Sequence, residues 1–284
     1  MAAFTNQATL SYNNLVTTSN IVQGELVETL TAAKTPIESN YQSDEVVTYA
    51  ISLVNAGTTA FTGLTITDNL GAYAYNAQTL VPMTYVDGSI TYFANGALQT
   101  APTVTAGPPL TISGVSVPAG GNAVIVYSAR INQFAPLGEG GTIDNSAVIT
   151  GGGLTAPLTA TAQVTAEPAP QLSLVKAVNP TSVVENEPVT YTFTIQNTGT
   201  AAATAADNLV ISDTFNPILN ITAVTLGSTA LAPTTGYTYN ATSGAFATVA
   251  GQITVPAATY ARDAATGAWV VTPGTATLTV TGTM

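Results

Sequence analysis

Two stretches of the chain follow one plan: VTYAISLVNAGTTAFTGLTITDNL (residues 47–70) and VTYTFTIQNTGTAAATAADNLVISDTF (residues 189–215). Each reads as a strand, an N-x-G-T turn, a second strand and an aspartate, with apolar residues alternating with Thr and Ser as in a half-buried β-strand. A further strand precedes each copy, within VETLTAAKTP in the first and LSLVKAVNP in the second. The repeat therefore covers a whole domain rather than a shared hairpin.

The repeat divides the chain into three segments. We predict an N-terminal donor strand segment at residues 1–24, a first domain at 25–167 and a second, incomplete domain at 168–284. The linker is AEPAPQ (166–171), because closely spaced prolines exclude central-strand pairing and stiffen the chain. The predicted fold is all-β, with two tandem immunoglobulin-like Greek-key sandwiches of about seven strands each.

Composition excludes several classes of function. The chain has no Cys and no His, which removes disulfides, thiol nucleophiles, imidazole bases and most zinc or copper sites. Its acids are scattered rather than gathered in a calcium-binding loop, so we expect no metal and no other cofactor. With four Lys and Arg against fifteen Asp and Glu, the net charge of -11 gives no basic surface for nucleic acid.

The chain shows no membrane-spanning signal. It contains no run of about 18 consecutive apolar residues, so no membrane insertion is expected. The opening MAAFTNQATLSYNN has neither the basic nor the apolar region of a signal peptide. The sequence therefore leaves the export route of a surface protein unexplained.

The pattern V-T-Y-x-x-x-x-x-N-x-G-T, followed by a strand that ends in an acid, resembles the conserved repeat domain of bacterial surface proteins, known as domain of unknown function eleven. The resemblance covers both repeats. It implies an immunoglobulin-like sandwich in a surface protein, often as a stalk module. It also implies similarity to Gram-positive pilin and adhesin domains, which carry spontaneous Lys-Asn isopeptide bonds.

The two repeats end differently. The first continues into IDNSAVITGGGLTAPLTATAQV (143–164), whereas the second stops at TATLTVTGTM. A sequence like the missing piece, FTNQATLSYNNLVTTSNIV (4–22), lies at the other end of the chain. We therefore predict that the second domain lacks its closing strand and that the N-terminal segment is a donor strand, with an apolar face made by Phe4, Ala8, Leu10 and Tyr12.

An open sandwich offers unpaired backbone groups and an apolar groove, which an extended segment of another chain can fill. A donor at the N-terminus and an acceptor in the C-terminal domain make head-to-tail contacts, which build rings or filaments. We expect a homopolymeric fibre on a cell or spore surface, with anchor or tip proteins as further partners and no catalytic turnover. The alternative is a monomeric adhesin or carbohydrate-binding module, with the N-terminal strand folded in cis and an exposed platform around Trp269 and Tyr260.

Strand phase aims three polar side chains at each core. The two sets are Lys34, Asp68 and Asn145 in the first domain, and Lys176 and Asp213 with Asn6 in the second. An apolar core favours the neutral amine, which can attack a carboxamide, and the protonated acid, which can assist. We expect an intrachain Lys34–Asn145 amide assisted by Asp68, and an interchain Lys176–Asn6 amide assisted by Asp213, each formed once with loss of ammonia.

A second reading of these residues stays open. A buried Lys-Asp ion pair that is hydrogen-bonded by the Asn uses the same residue types without a covalent bond. Four other acids precede the V-T-Y strands and rank second as assisting groups, because they are expected in exposed turns: Asp44, Glu45, Glu185 and Glu187.

Overall fold

The structure is a computed structural model that describes residues 2–27 and 29–284. In this part of the chain the regular elements are β-strands, apart from a short 3-10 helix at Ala205–Asp207. They form an N-terminal hairpin and two sandwiches, whose buried core residues lie between positions 30 and 166 and between positions 189 and 280. The predicted all-β fold class is confirmed.

The N-terminal hairpin consists of β1 (Ala2–Asn6), β2 (Thr9–Tyr12), β3 (Leu15–Thr18) and β4 (Val22–Leu26). Strand β1 pairs with β4 and β2 with β3, both antiparallel. Asn13 and Asn14 make the turn with φ angles of 47° and 61°, as a tight two-residue hairpin turn requires. Within the described ranges these four strands pair only with one another. The structure thus has a two-stranded hairpin where the sequence predicted a single donor strand.

The first sandwich packs two six-stranded sheets face to face. Its strands are β5 (Leu30–Pro36), β6 (Asn40–Tyr41), β7 (Val46–Asn55), β8 (Phe61–Asp68), β9 (Tyr73–Tyr75), β10 (Gln78–Leu80), β11 (Met83–Tyr85), β12 (Thr91–Ala94), β13 (Ala97–Leu98), β14 (Thr103–Thr105), β15 (Leu110–Val117), β16 (Asn122–Ile131), β17 (Thr142–Gly151) and β18 (Leu158–Ala166). One sheet has the order β13-β12-β16-β7-β5, with β11 also on β16, and the other β14-β15-β8-β17-β18-β6. The hairpin β17–β18 closes this sandwich, because β17 pairs with β8 and β18 packs against β5.

The second sandwich is built from β19 (Leu172–Asn179), β20 (Pro188–Asn197), β21 (Ser212–Thr214), β22 (Asn220–Leu226), β23 (Thr229–Ala230), β24 (Tyr237–Asn240), β25 (Ala245–Thr248), β26 (Thr259–Arg262), β27 (Trp269–Thr272) and β28 (Gly274–Thr283). Its sheets have the orders β19-β20-β28-β22-β23 and β21-β25-β24. Strand β21 corresponds in sequence to the end of β8, yet among the described residues it pairs only with β25. Strand β19, which corresponds to β5, is exposed along its whole length.

The hairpin β26–β27 reaches from the second sandwich onto the first. Tyr260 packs against the first core, and the Trp269 backbone N–H donates a hydrogen bond of 2.8 Å to the Gln133 carbonyl oxygen. Both aromatic side chains are half-buried in this contact. The exposed aromatic platform expected around Trp269 and Tyr260 is therefore wrong.

Arg262 fixes this hairpin between aromatic rings. Its guanidinium carbon lies 4.2 Å from the centre of the Tyr75 ring and 5.1 Å from the centres of the Tyr73 and Trp269 rings. A cation over an aromatic face contributes about 0.5–2 kcal/mol, with the larger values at desolvated positions. Arg262 thus joins aromatic rings of the first sandwich, Tyr73 and Tyr75, to Trp269 of the hairpin.

We expect Arg262→Ala to loosen the β26–β27 hairpin and to raise its amide hydrogen exchange roughly tenfold, because about 1.4 kcal/mol of local stability corresponds to that factor. Arg130→Ala is the matched control, since Arg130 pairs with Asp44 where both side chains are exposed, and such pairs contribute little. Equal exchange in the two variants and the parent would contradict this role of Arg262.

Candidate cross-link sites and strand-acceptor groove

Lys34, Asp68 and Asn145 come together inside the first sandwich. Lys34 extends from β5 of one sheet, whereas Asp68 and Asn145 extend from the neighbouring strands β8 and β17 of the other. The Lys34 Nζ lies 2.5 Å from Asp68 Oδ2, and both side chains are 0% exposed. The period-two alternation of these strands turns all three side chains toward the core.

Tyr127, which the sequence analysis did not single out, links the carboxylate to the carboxamide. Its hydroxyl donates to Asp68 Oδ2 at 2.6 Å and accepts from Asn145 Nδ2 at 3.2 Å. Its ring stacks on Tyr49, with centroids 5.7 Å apart, and Lys34 Nζ lies 4.8 Å from the centre of the Tyr49 ring. The sequence signal that could have found Tyr127 is its inward phase in the strand NAVIVYSARI.

Burial sets the protonation of this site. It lowers the pKa of Lys34 from 10.5 to about 8, with the Asp68 charge acting in the opposite direction. Burial also raises the pKa of Tyr127 well above its usual value, so this hydroxyl keeps its proton. Asn145 Oδ1 is buried and accepts no hydrogen bond from the described residues. The site therefore holds a lysine amine with a lowered pKa, the Asp68 side chain and a carboxamide whose oxygen has no partner among the described residues.

Lys176 and Asp213 repeat the ion pair at the edge of the second sandwich. Their Nζ and Oδ2 atoms are also 2.5 Å apart, but the side chains are 42% and 17% exposed. The Lys176 Nζ lies 4.8 Å from the centre of the Tyr191 ring. The sequence-based expectation of a core-buried lysine is wrong for Lys176 in the isolated chain, because no described strand covers β19. Asn6 lies exposed in the N-terminal hairpin.

The four acids that ranked second lie elsewhere. Asp44, Glu45, Glu185 and Glu187 are all exposed in the loops that precede β7 and β20. Asp44 contacts the exposed Arg130, and Glu45 accepts a hydrogen bond from the Gln42 backbone N–H at 2.8 Å. These side chains hold turns and contact neither lysine.

An apolar groove runs beside the Lys176–Asp213 pair. It includes a cavity of about 180 Å³ between β19 and the segment 209–211 that precedes β21. The apolar residues that line this cavity are Leu172, Leu174, Ile195, Leu209, Val210, Ile211 and Ile253. In the first sandwich the equivalent position is covered by β17 and β18.

The N-terminal hairpin has one apolar face and one polar face. Phe4, Leu10 and Tyr12 share the apolar face and are 56%, 65% and 70% exposed. The ring of Phe4 lies over Gly24, where a Cβ atom would approach it to 2.4 Å, so glycine makes room for the ring. The polar face carries Thr5, Gln7, Thr9, Ser11, Gln23 and Glu25, together with one apolar residue, Val16, which pairs with Ser11. A two-stranded hairpin is marginally stable alone in water, and an apolar face of this kind indicates a partner.

The N-terminal hairpin and β17–β18 share an N-x-A pattern in their first strands but differ in register, because Asn6 pairs with Val22 and Asn145 pairs with Ala162, one position further along the chain. Asn145 stands two positions before the residue of β17 that faces Asp68. Ala8 stands two positions after Asn6 in the N-terminal hairpin. In sequence, Asn6 and Ala8 therefore correspond to Asn145 and Ala147.

Two further observations concern membrane-spanning helices and metal sites. No helix in the described ranges is both long and apolar enough to cross a bilayer. Among the described residues, no three or more Asp or Glu side chains gather where they could hold a metal ion.

No protein-family model and no curated protein matches the chain. Among solved structures it is similar to the pilus backbone RrgB from Streptococcus pneumoniae, at 13% identity over 87% of this chain and 55% of that chain, with a TM-score of 0.36. It is also similar to the major pilin SpaD from Corynebacterium diphtheriae, at 13% identity over 58% of this chain and 41% of that chain, with a TM-score of 0.35. A family 123 glycoside hydrolase from Clostridium perfringens is similar at 11% identity over 49% of this chain and 27% of that chain, with a TM-score of 0.32. The chain spans little more than half of RrgB and less than half of the others. Because pilins and a hydrolase score alike, these likenesses assign neither family nor role.

The Lys34 amine gives the first sandwich a characteristic pH dependence. In Asn145→Ala the amine cannot be consumed, and its folded pKa of about 8 lies below the unfolded 10.5. Between these values the unfolded state binds more protons, so the free energy of unfolding should rise with pH, by at most about 3 kcal/mol. Urea unfolding between about pH 7.5 and pH 10 measures this rise.

The buried tyrosines act in the opposite sense above about pH 10, because burial raises the pKa of Tyr49 and Tyr127. The measurement is therefore confined to the window below that pH. Lys34→Met in the same Asn145→Ala background is the control and should show a flat profile. A flat profile while Lys34 is present would contradict the lowered pKa.

Proposed function

We propose that the chain is a structural subunit of an extracellular or surface fibre that polymerises head to tail. The N-terminal hairpin of one copy completes the second sandwich of a neighbouring copy. The observation that carries this proposal is the match between donor and acceptor. The first half of the hairpin repeats the N-x-A pattern of β17, and β21 is open at the edge where β8 is covered by β17.

Strand addition would satisfy both halves of the open site. The edge of β21 gains backbone hydrogen bonds from β1 and β2, and the returning strands cover β19 as β18 covers β5. Leu10 takes the position that Ile149 has opposite Ile66 in the first sandwich, which places it against Ile211. Burying a leucine side chain contributes about 2 kcal/mol.

The contact is expected between copies because of where the hairpin is attached. Leu30 pairs with Asn55 at one end of β7, whereas Tyr41, at the opposite end of the first sandwich, lines the contact with Gly199 of the second. The connection from β4 to β5 spans at most about 14 Å, and a strand with the 10 residues of β7 extends about 33 Å. The connection is therefore too short for the hairpin to dock on the second sandwich of its own copy.

Head-to-tail addition also continues the order of elements within the chain. In one copy, β17–β18 is followed by a short linker and β19. In the assembly, the N-terminal hairpin docked on one copy is followed by a short connection and β5 of its own copy. Each joint between copies would thus resemble the joint between the two sandwiches, which produces an open filament rather than a closed pair. Anchor or tip proteins would end such a fibre.

Amide bonds would lock both kinds of sandwich. The Lys34 nitrogen joins the Asn145 carboxamide carbon within one copy, assisted by Asp68, and ammonia leaves. In the second sandwich, docking brings the Asn6 carboxamide to Lys176 and excludes water from the Lys176–Asp213 pair. The covalent step between copies would therefore follow strand addition rather than precede it.

The apolar face of the hairpin gives a test of assembly. Leu10→Asp should abolish fibres in electron micrographs and leave a monomer by sedimentation, because it puts a charge into the apolar groove. Thr9→Asp is the matched control, since Thr9 is the adjacent residue on the polar face, and it should still assemble. If Leu10→Asp forms fibres as readily as Thr9→Asp, hairpin docking is excluded.

The covalent joint is tested on a denaturing gel after boiling. The parent should give a ladder of multimers, and Asn6→Ala and Lys176→Ala should each run as monomers while fibres persist in unboiled samples. Mixing the two variants should restore covalent dimers only, because one supplies the lysine and the other the asparagine. Gln7→Ala, on the polar face, is the control with an intact ladder.

The outcomes separate the competing readings. A parent that forms fibres but runs only as a monomer after boiling would exclude the interchain amide and keep strand addition. A parent that forms no fibres would favour the monomeric adhesin or carbohydrate-binding module.

A further inference from the structure

We propose that Tyr127 is a catalytic proton relay for the Lys34–Asn145 amide, carrying a proton from Asp68 to the nitrogen that leaves Asn145. The inference rests on the cross-linking function proposed above. It starts from the position of the phenol: one hydroxyl touches both the carboxylate that binds the attacking amine and the leaving nitrogen.

The hydrogen-bond directions follow from a count of protons. A tyrosine hydroxyl has a single proton, and Asp68 Oδ2 accepts it at 2.6 Å. The group that faces this hydroxyl from Asn145 must therefore be a donor, which identifies it as Nδ2 at 3.2 Å. This orientation leaves Asn145 Oδ1 without a partner among the described residues. The leaving atom thus points at the relay.

The reaction balances along this path. Lys34 passes a proton from Nζ to Asp68 Oδ2, 2.5 Å away, and the neutral amine attacks the Asn145 carboxamide carbon. Tyr127 gives its proton to Nδ2 and regains one from Asp68, so that the nitrogen leaves as ammonia. The new amide nitrogen then gives its surplus proton to the Asp68 carboxylate. The products are one amide, one ammonia and a protonated Asp68.

The surroundings keep the phenol fit for this step. Tyr127 is completely buried, and its ring stacks on Tyr49, which fixes its position. Burial and the Asp68 charge hold its pKa well above the usual value, so the hydroxyl is protonated at the start of every attempt. Because the Tyr127 hydroxyl does not stay deprotonated, it can give its proton to one group only as it receives a proton from another. This paired transfer is what defines a proton relay.

The second sandwich has no equivalent hydroxyl. Tyr127 faces Tyr49 across the β16–β7 pair, and Val280 faces Tyr191 at the same place in the β28–β20 pair. The ring of Phe215 lies 5.0 Å from that of Tyr191. The amide between copies would therefore form without a relay and more slowly. Each copy would lock its first sandwich before its joint to the next copy is locked.

Full-length chain made by cell-free synthesis allows the bond to be followed from the start. Intact-mass measurements over time report a loss of about 17 Da for the ammonia released. Tyr127→Phe keeps the ring and should slow this loss by roughly 100-fold, the effect of removing a general acid or base. Tyr92→Phe is the control, because Tyr92 donates to the Ser116 carbonyl oxygen away from the site and should react at the parental rate.

A second readout separates a relay from a structural role. Proton transfer through Tyr127 predicts a solvent deuterium isotope effect on the parental rate that changes in Tyr127→Phe, while the Lys34 pKa, measured in the Asn145→Ala background, stays near 8 in both. A slower reaction with an unchanged isotope effect and a displaced Lys34 pKa would show that the hydroxyl only positions Asp68, and would overturn the relay.

The remaining outcomes distinguish the two proposals. A parent that never loses mass overturns the cross-linking function itself. A parent that loses mass at the same rate as Tyr127→Phe overturns the relay alone. Because only the first sandwich has the relay, its loss of ammonia should be complete before covalent multimers accumulate on the denaturing gel. If both processes finish at the same time, the predicted difference in rate between the two sandwiches is contradicted.

Discussion

Backbone pairing at a sheet edge is the constraint on which this molecule depends. An unpaired edge strand presents donors and acceptors that must find partners, and covering it is as much a structural necessity as filling a core. The first sandwich meets this need with its own β17–β18 hairpin. The second leaves β21 paired on one side, and a hairpin whose sequence resembles β17–β18 stands exposed at the opposite end of the chain.

The same constraint separates two sites that share residue types. Lys34 and Asp68 are fully enclosed because a strand covers them, whereas Lys176 and Asp213 remain partly exposed because none does. Burial lowers the pKa of an amine, whereas exposure to solvent lets water stabilise its charged form. In the proposed fibre, docking a strand would thus change the chemistry of the lysine beside it. In that fibre, assembly and covalent locking would be successive steps.

The joint within the chain and the proposed joint between chains would differ in their reinforcement. Within a copy, Arg262 and its aromatic cage hold the β26–β27 hairpin on the first sandwich. Between copies, the load would fall on the docked hairpin and on its amide bond. A fibre of this design would resist pulling because the strands that carry the load would also be the strands that close the cores.

The sequence by itself determined the repeat, the all-β class and the inward phase of Lys34, Asp68 and Asn145, because alternation along a strand is a local property. It could not show that the N-terminal segment is a paired hairpin, that Tyr127 joins the carboxylate to the carboxamide, or that Trp269 lies in a contact. These depend on which strands become neighbours across two sheets. Lys176 has the same strand phase as Lys34, yet only the tertiary structure decided that it stays exposed, since burial requires a covering strand that phase alone does not supply.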